Sequence, residues 1–326
     1  MLVLGGGGRR LEQERVHLSN SLRRQLSEGL RKLRADLERP VPPPLAADRR
    51  KCSLCSWRVA CNAVAAEEGH LSEVSGIGAK RREMLLELGI RGLSDLAAAD
   101  PMQLAERLQR FGEQHVEVAA SLVAQARAQR DGRVDRLDDA PVLPELQDCP
   151  GLLLYDIESD PDARHDFLHG FLVLPKTESG DWDLASVAYH PILALEEHGE
   201  ARCWLRLQRL LNRYRGWPIL HYGETETLAL SRMAERQGAA EAEVLQLRQR
   251  LVDVHARVRR HWRLPLASYG LKAVAVWQGF QWSQAGVDGA RALLWWRQWQ
   301  GEGPDRRGTR HGLRWIFDYN RDDCLA

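Results

Sequence analysis

The sequence lacks an excess of charge of either sign, and it lacks any long apolar run. Its 46 basic and 45 acidic side chains leave a formal net charge of +1, so no overall electrostatic field points to nucleic acid. No apolar stretch approaches the roughly 18 residues that a transmembrane helix needs. The apolar run at residues 2–4 has no basic segment before it, unlike a signal peptide. These absences argue against a membrane protein and against a membrane partner.

Cysteine is also scarce. The chain has six cysteines in 326 residues, and they are not spaced like the disulfide framework of a secreted domain. We therefore expect a cytoplasmic, reducing environment. Hydrophobic residues make up 44% of the chain, which is enough for packed cores, and the length suits two domains or one large domain.

Two short acidic motifs carry most of the chemical information. Asp156 and Glu158 follow the apolar run 151–154, which predicts a buried strand. Residues two apart on a strand point to the same face, and residues four apart on a helix do the same, which would pair Tyr319 with Asp323. Clustered carboxylates are costly to bury without a cation. Hard divalent ions such as Mg²⁺ or Mn²⁺ are their natural partners.

These motifs resemble those of the DEDD exonucleases in the RNase H-like, DnaQ-like superfamily. That family carries D-x-E on its first strand, Tyr-x3-Asp on a late helix and another acid between them. Residues 221–226, after the strand-like run 217–220, resemble the middle motif, with Glu226 where Asp is usual. The resemblance is closest to the YprB-type domains found beside RecB-like nucleases, and it covers roughly residues 150–326.

The resemblance implies a metal-dependent 3′–5′ exonuclease that hydrolyses phosphodiesters by a two-metal mechanism. Asp156 would bridge two ions, and Glu158, Glu226 and Asp323 would complete the metal site. Tyr319 would orient the attacking water or, in the plainer alternative, pack over the sheet. The substrate would be nucleic acid, with DNA favoured over RNA. The alternatives are a catalytically inactive RNase H-like module that binds nucleic acid, and a scaffold.

The order of predicted elements agrees with an α/β, RNase H-like mixed sheet flanked by helices. We expect strands and helices in the order strand 151–158, strand 167–175, strand 182–187, helix near 204–211, strand 217–221, helix 224–236 and strand 251–254. Lys272 lies in a segment that resembles the S-x-x-L-K helix of the family, either as a phosphate contact or as a solvent-facing lysine. A helical step of about 100° separates Asp322 from Asp323, so we expect Asp322 to be exposed.

Residues 1–62 have a different character. Leucines recur every three or four residues from Leu22 to Leu37 and predict an amphipathic helix. Cys52, Cys55 and Cys61 then form a C-x2-C-x5-C pattern similar to the cysteine cluster that holds a [4Fe-4S] centre in RecB-like nucleases. The fourth ligand and the nuclease residues of that family would lie upstream, so we interpret the segment as the tail of a nuclease whose body is absent. A zinc site and three ordinary cysteines are the alternatives.

Residues 63–130 are similar to a helix-hairpin-helix region. The amides of Gly76 and Gly78 would face a phosphate, and Lys80 and Arg81 would add positive charge. The alternative is a hairpin that only connects two domains. We interpret residues 131–148 as a linker, because proline and aspartate interrupt any periodicity. Residues 149–326 would then form the exonuclease-type domain, shortened at its C-terminal end.

Overall fold

The computed structural model describes residues 2–5, 11–14, 19–38, 45, 57–195, 199–301 and 310–326, without the side chains of residues 2–5, 11–14, 310 and 311. Cys52 and Cys55 lie outside the described residues. Cys61 is a free, half-buried thiol in a helix. The cysteine cluster and its iron–sulfur centre therefore stay predictions.

The N-terminal part is largely helical, after one short hairpin. Its elements are β1 (Leu2–Gly5), β2 (Leu11–Glu14), α1 (Asn20–Leu37), α2 (Arg58–Glu67), α3 (Ala79–Glu87), α4 (Leu93–Ala98), α5 (Pro101–Leu108), α6 (Glu113–Val116) and α7 (Ala119–Asp131). The predicted amphipathic helix is confirmed as α1, although none of its side chains is buried. Helices α2 to α7 surround an apolar core of their own that includes Leu71, Leu85, Leu96 and Leu108.

The C-terminal part alternates strands and helices. Its elements are β3 (Asp135–Arg136), β4 (Gly151–Asp160), β5 (His165–Pro175), β6 (Ala188–Leu193), α8 (Gly199–Arg213), β7 (Ile219–His221), α9 (Glu224–Arg236), α10 (Glu241–Arg250), β8 (Leu251–Asp253), α11 (Val254–His261), β9 (Trp262–Arg263), α12 (Leu271–Trp277), α13 (Gly289–Gly301) and α14 (Arg310–Leu325). None of the described helices combines the length and apolar character needed to cross a membrane.

A five-stranded mixed sheet organises this part in the order β6-β5-β4-β7-β8. Strand β4 pairs antiparallel with β5 and parallel with β7, while β6 and β8 form the edges. The predicted α/β class, with a mixed sheet flanked by helices and a helical region before it, is confirmed.

The third strand lies later than the sequence pattern indicated. Residues 182–187 were predicted as a strand, but Leu184–Ser186 is a single 3-10 turn and the strand is Ala188–Leu193. Pro191 interrupts the apolar pattern of the real strand. Because β6 is an edge strand that pairs only with β5, the missing proline N–H is tolerated there.

The two faces of β4 have opposite uses. Leu153 and Tyr155 face the apolar core beneath α8 and α9. Asp156 and Glu158 alternate with them and point to the other face, where α13 and α14 pack against the sheet. The acidic motif therefore lies between the sheet and the last helix.

The helical unit is attached to the sheet domain by defined contacts. Strand β3 pairs with β9, and Leu137 donates its amide to the His261 carbonyl. The buried Gln125 of α7 donates to the Leu264 carbonyl at 2.9 Å and accepts from the Tyr269 hydroxyl at 3.1 Å. The segment predicted as a linker thus pairs with the sheet domain along part of its length.

Candidate metal centre

Strand β4 and helix α14 bring three carboxylates together. Asp156, Glu158 and Asp323 each offer an oxygen, and these atoms lie within 4.8 Å of one another. The strand supplies two of them because residues two apart share a face, and α14 crosses that face with its last turn. Glu158 is buried and the two aspartates are half-buried.

The electrostatics of this group favour a bound cation. Burial raises the pKa of Asp156 and of Glu158 well above the ordinary carboxylate range, and neighbouring carboxylates raise both further. Burial also raises the pKa of Asp323, against the opposing effect of a hydrogen bond from Trp282. Three hard oxygen donors whose charges are costly to bury together fit a divalent ion such as Mg²⁺ or Mn²⁺.

Asn320 holds Asp156 in place from the adjacent turn of α14. Its Nδ2 donates to Asp156 Oδ2 at 2.7 Å, and its Oδ1 accepts from the Tyr189 hydroxyl at 2.8 Å. Gly170 lies opposite Asp156 in the β4–β5 pair, and a Cβ there would come within 1.6 Å of Asn320 Oδ1. Glycine at this position therefore makes room for the amide that orients the carboxylate.

A loop between α12 and α13 fixes the end of α14. Trp282 Nε1 donates to Asp323 Oδ1 at 2.6 Å, while the Ser283 amide and hydroxyl donate to Asp322 Oδ2 at 2.7 and 2.5 Å. Asp322 is only 5% exposed, so the expectation that it faces solvent was wrong. The side chain of Asp322 does point away from that of Asp323, but the loop that contains Ser283 covers this side of α14 and keeps Asp322 from solvent.

Tyr319 and Lys272 border the carboxylates. Tyr319 is buried, and burial raises the pKa of its hydroxyl above the ordinary tyrosine value. Lys272 Nζ lies 4.8 Å from the centre of the Tyr319 ring and donates to the Val287 carbonyl at 2.8 Å. Its charge opposes the rise of the Glu158 and Asp323 pKa values. Lys272 is therefore half-buried beside the site, while its phosphate contact and the role of Tyr319 stay predictions.

Glu226 lies outside the group of three. It is buried at the N-terminal turn of α9, where its Oε2 is 3.8 Å from His221 Nδ1. Neither atom has a hydrogen-bond partner among the described residues. Burial raises the pKa of Glu226 to about 7, and its charge contributes to the raised pKa of Asp156. The sequence grouped Glu226 with the other acids, and its role as a fourth metal ligand stays a prediction.

Asn320 and Trp282 are site residues that sequence reasoning missed. Ile316, Asn320 and Cys324 recur every four residues on the buried face of α14. A polar residue on that apolar face was a usable signal for Asn320. Trp282 lies in a loop after α12, where no periodicity marks the contact with Asp323.

The predicted phosphate-binding hairpin has the expected glycine turn. Gly76 has a φ of +89°, in the left-handed region that favours glycine, and Gly78 precedes the first residue of α3. Both glycines and Lys80 are exposed, while Arg81 donates to the Gly76 carbonyl. Contact with nucleic acid at this turn stays a prediction.

One comparison with known proteins gives a match. The family model of the RNase H superfamily matches residues 153–326, more than half of the chain. The matched segment contains all three clustered carboxylates together with Glu226 and Tyr319. No curated protein and no solved structure matches the chain.

Proposed function

The chain belongs to the RNase H superfamily, and on this premise we propose that it is a metal-dependent nuclease that degrades nucleic acid from the 3′ end. Members of the superfamily are typically nucleases, which supports hydrolysis of phosphodiesters. The observation that carries the proposal is the approach of Asp156, Glu158 and Asp323 to within 4.8 Å of one another. Acids collected in this way are hard to explain by packing alone, because each raises the cost of burying the others.

The residues around the site have separate tasks in this proposal. Asp156, Glu158 and Asp323 would hold the metal, and Asn320 keeps Asp156 from turning away through its 2.7 Å hydrogen bond. A divalent ion held there would activate a water and stabilise charge on the departing oxygen. Tyr319, in the turn of α14 before Asp323, would orient the attacking water. Lys272 would place its charge against a phosphate of the bound strand.

A direct assay tests the proposal. The chain is incubated with strands labelled at the 5′ or the 3′ end, in Mg²⁺ or Mn²⁺ and in EDTA, and the products are separated by length. We expect a metal-dependent ladder from the 5′-labelled strand and early release of the 3′ label. Asp323→Asn removes one ligand and should abolish the ladder. A ladder that persists in EDTA or in Asp323→Asn would contradict the proposed site.

A second candidate is a module that binds nucleic acid without cleaving it. The position of Glu226 favours it, because that carboxylate lies 3.8 Å from His221 Nδ1 and is not one of the three that approach within 4.8 Å of one another. This candidate predicts strand binding that resists EDTA and no products with either metal. Isothermal titration of the metal-free chain with Mn²⁺ separates the two functions, since only the nuclease requires stoichiometric metal binding that Asp323→Asn weakens.

The finer family assignment also remains a proposal. The YprB-type likeness is supported by the order of the motifs, and the RecB-like tail rests on Cys52, Cys55 and Cys61. Because the fourth ligand is expected upstream of this segment, the chain by itself should show little or no visible iron–sulfur absorbance after reconstitution with iron and sulfide. A stable stoichiometric band that disappears in a Cys52→Ser variant would mean that another residue of this chain supplies the fourth ligand. A cytoplasmic location and a preference for DNA likewise rest on the sequence.

A further inference from the structure

We propose that a continuous basic groove guides a single-stranded nucleic-acid tail from the glycine turn of the helical unit to the three carboxylates. The groove is defined here by Arg81, Arg259, Arg260 and Lys272, and it ends at Asp323. The proposal rests on the proposed function and extends it by naming the substrate, a duplex that carries a single-stranded 3′ tail.

Three neighbouring clefts share lining residues. A cleft of about 270 Å³ beside the glycine turn is lined by Gly76, Arg81 and Arg259. Arg259 also lines the next cleft, of about 700 Å³, together with Arg260 and Leu271. Leu271 in turn lines a third cleft, of about 770 Å³, which reaches Lys272 and Asp323. The shared residues place the three clefts side by side between the hairpin and the carboxylates, as a continuous path requires.

The groove presents cations that the protein itself does not neutralise. Arg259 and Arg260 are exposed on α11, and neither forms an ion pair with an acid of the described residues. Their neighbours differ, since Arg257 pairs with Glu145 and Arg263 pairs with Asp135. Helix α11 and the following strand β9 therefore use one arginine each for attachment, and α11 leaves two for a polyanion. Phosphates release counterions when they meet such unpaired arginines, which favours binding.

Two acids also line the middle cleft. Asp253 Oδ1 accepts the amides of Gly223 and Ala256, both at 3.1 Å, and so is occupied by the backbone at the start of α11. Glu224 is the other acid, exposed at the start of α9. Counted by formal charge, the middle cleft sets Arg259 and Arg260 against Asp253 and Glu224, and Arg81 and Lys272 add positive charge in the clefts on either side.

Aromatic rings in the middle cleft suit unpaired bases. Tyr222 and His255 both line it, with ring centres 5.3 Å apart. A hydrogen bond from the Tyr222 hydroxyl to the Tyr269 carbonyl, at 2.5 Å, holds the tyrosine ring in place. Bases stack on fixed aromatic faces with little sequence preference, and only bases outside a duplex expose their faces in this way. A single strand therefore fits the middle cleft better than a duplex.

Binding assays on the full chain in EDTA test the groove without hydrolysis. The probes are a fluorescent blunt duplex and the same duplex with a single-stranded 3′ tail, each made as DNA and as RNA. The double variant R259E/R260E reverses the charge of the groove. Its matched control is R202E/R209E, which makes the same change at two exposed arginines of α8, on the opposite side of the sheet.

We expect the wild-type chain to bind the tailed duplex more tightly than the blunt duplex. This difference should appear with the nucleic acid, DNA or RNA, that the chain binds more tightly. R259E/R260E should weaken binding of the tailed duplex by about tenfold or more. It should also reduce the slope of log Kd against log salt by about 1.4, since each of the two lost phosphate contacts on a single strand accounts for about 0.7. Binding of the blunt duplex should change far less, and R202E/R209E should bind both probes within about twofold of wild type. The neutral variant R259Q/R260Q should also weaken binding of the tailed duplex more than binding of the blunt one, by smaller factors. It serves as a control in case the reversed-charge protein misfolds.

Unchanged tail binding in R259E/R260E would overturn the groove, as would equal losses for both duplexes. Competition by polyglutamate as effective as that by the tailed strand would also overturn it, because the surface would then be an acidic-peptide site. These failures differ from failure of the proposed function. A wild-type chain with no metal-dependent hydrolysis but a groove-dependent preference for tails would refute the nuclease and keep the groove.

Discussion

The helical unit at residues 57–131 and the sheet domain bury different kinds of side chain. In the helical unit the core is apolar, and the buried polar residues of its described part are His70, His115 and Gln125. The sheet domain has an equally apolar core on one face of β4. Its other face holds Asp156, Glu158 and Asp323 close together. The helical unit buries no carboxylate, and the sheet domain concentrates them.

This difference separates residues that maintain the fold from residues that serve a function. Apolar burial stabilises both parts by the same mechanism. Carboxylates of like sign raise each other's pKa and destabilise the folded chain when no cation is bound. A sequence keeps such a group only where something compensates it, so the exception to the packing rule marks the candidate site.

The largest effect should come from Asp156→Asn, which keeps the shape of the side chain and removes one charge from the site. Hydrolysis should fall by on the order of a thousandfold or more, because the metal loses a ligand. The metal-free protein should become more stable at neutral pH, since one of three mutually repelling carboxylates is gone. Product formation and the thermal midpoint in EDTA measure the two effects.

Asp160→Asn is the control for this change. Asp160 lies on the same face of β4, but it pairs with Arg297 at 2.6 Å instead of joining the cluster. The Asp160→Asn substitution should lower the thermal midpoint, because Arg297 loses its charged partner, while the folded protein keeps most of its activity. If Asp156→Asn lost stability and kept activity in the same way, Asp156 would belong to the fold and not to the site.

The opposite outcome is expected for Leu108→Ala in the helical unit. Leu108 is fully buried in the core of that unit, so truncation should cost about 3 kcal/mol of unfolding free energy. Cleavage of short single strands should not change for the folded protein. Met102→Ala on the same helix, where the side chain is 77% exposed, should cost well under about 1 kcal/mol. Urea denaturation followed by circular dichroism tests both changes.

The sequence predicts the local part of the site and misses its tertiary part. Strand alternation places Asp156 and Glu158 on one face, and helical periodicity brings Tyr319 and Asp323 to one side of α14, because both rules depend only on nearby residues. The support of Asp156 depends on Asn320, which needs Tyr189 and Gly170 from two other strands. The shifted β6 strand was missed for a similar reason. Its edge position, which tolerates Pro191, is a property of the whole sheet.

Asn320→Leu tests that tertiary support. The side chain has a similar size but cannot donate to Asp156, so the carboxylate loses its 2.7 Å partner. Loss of such outer partners lowers metal affinity or activity by about 10- to 100-fold. Tyr189→Phe removes only the hydroxyl that orients Asn320 and should have a smaller effect in the same direction. The metal concentration at half-maximal activity is the readout, because a purely structural role would change stability without shifting it.

The smallest effect concerns Glu226 and the pH dependence of stability in EDTA. Burial raises its pKa from 4.5 to about 7 in the folded chain. The folded chain therefore binds more protons at this residue than the unfolded chain does between these pH values, and stability falls as pH rises through that window. The neighbouring His221 acts in the opposite direction, because burial lowers its pKa and folded stability is lost as pH falls below 6.5.

Comparison of wild type with Glu226→Gln cancels, to first order, the contributions of His221 and of the three clustered carboxylates. The variant should match wild type near pH 4.5 and exceed it by about 1–2 kcal/mol above pH 7, below the full value of the shift because Glu226 is not completely shielded from solvent. Thermal melts across this range give the difference, and the same melts with Mn²⁺ decide what Glu226 does. If Glu226 is a fourth ligand, the ion stabilises wild type more than the variant above pH 7. Equal stabilisation would mean that Glu226 is a buried acid beside the centre and that three carboxylates hold the metal. Glu226 and His221, whose facing atoms Oε2 and Nδ1 have no hydrogen-bond partner among the described residues, would then contribute only to the pH dependence of the fold.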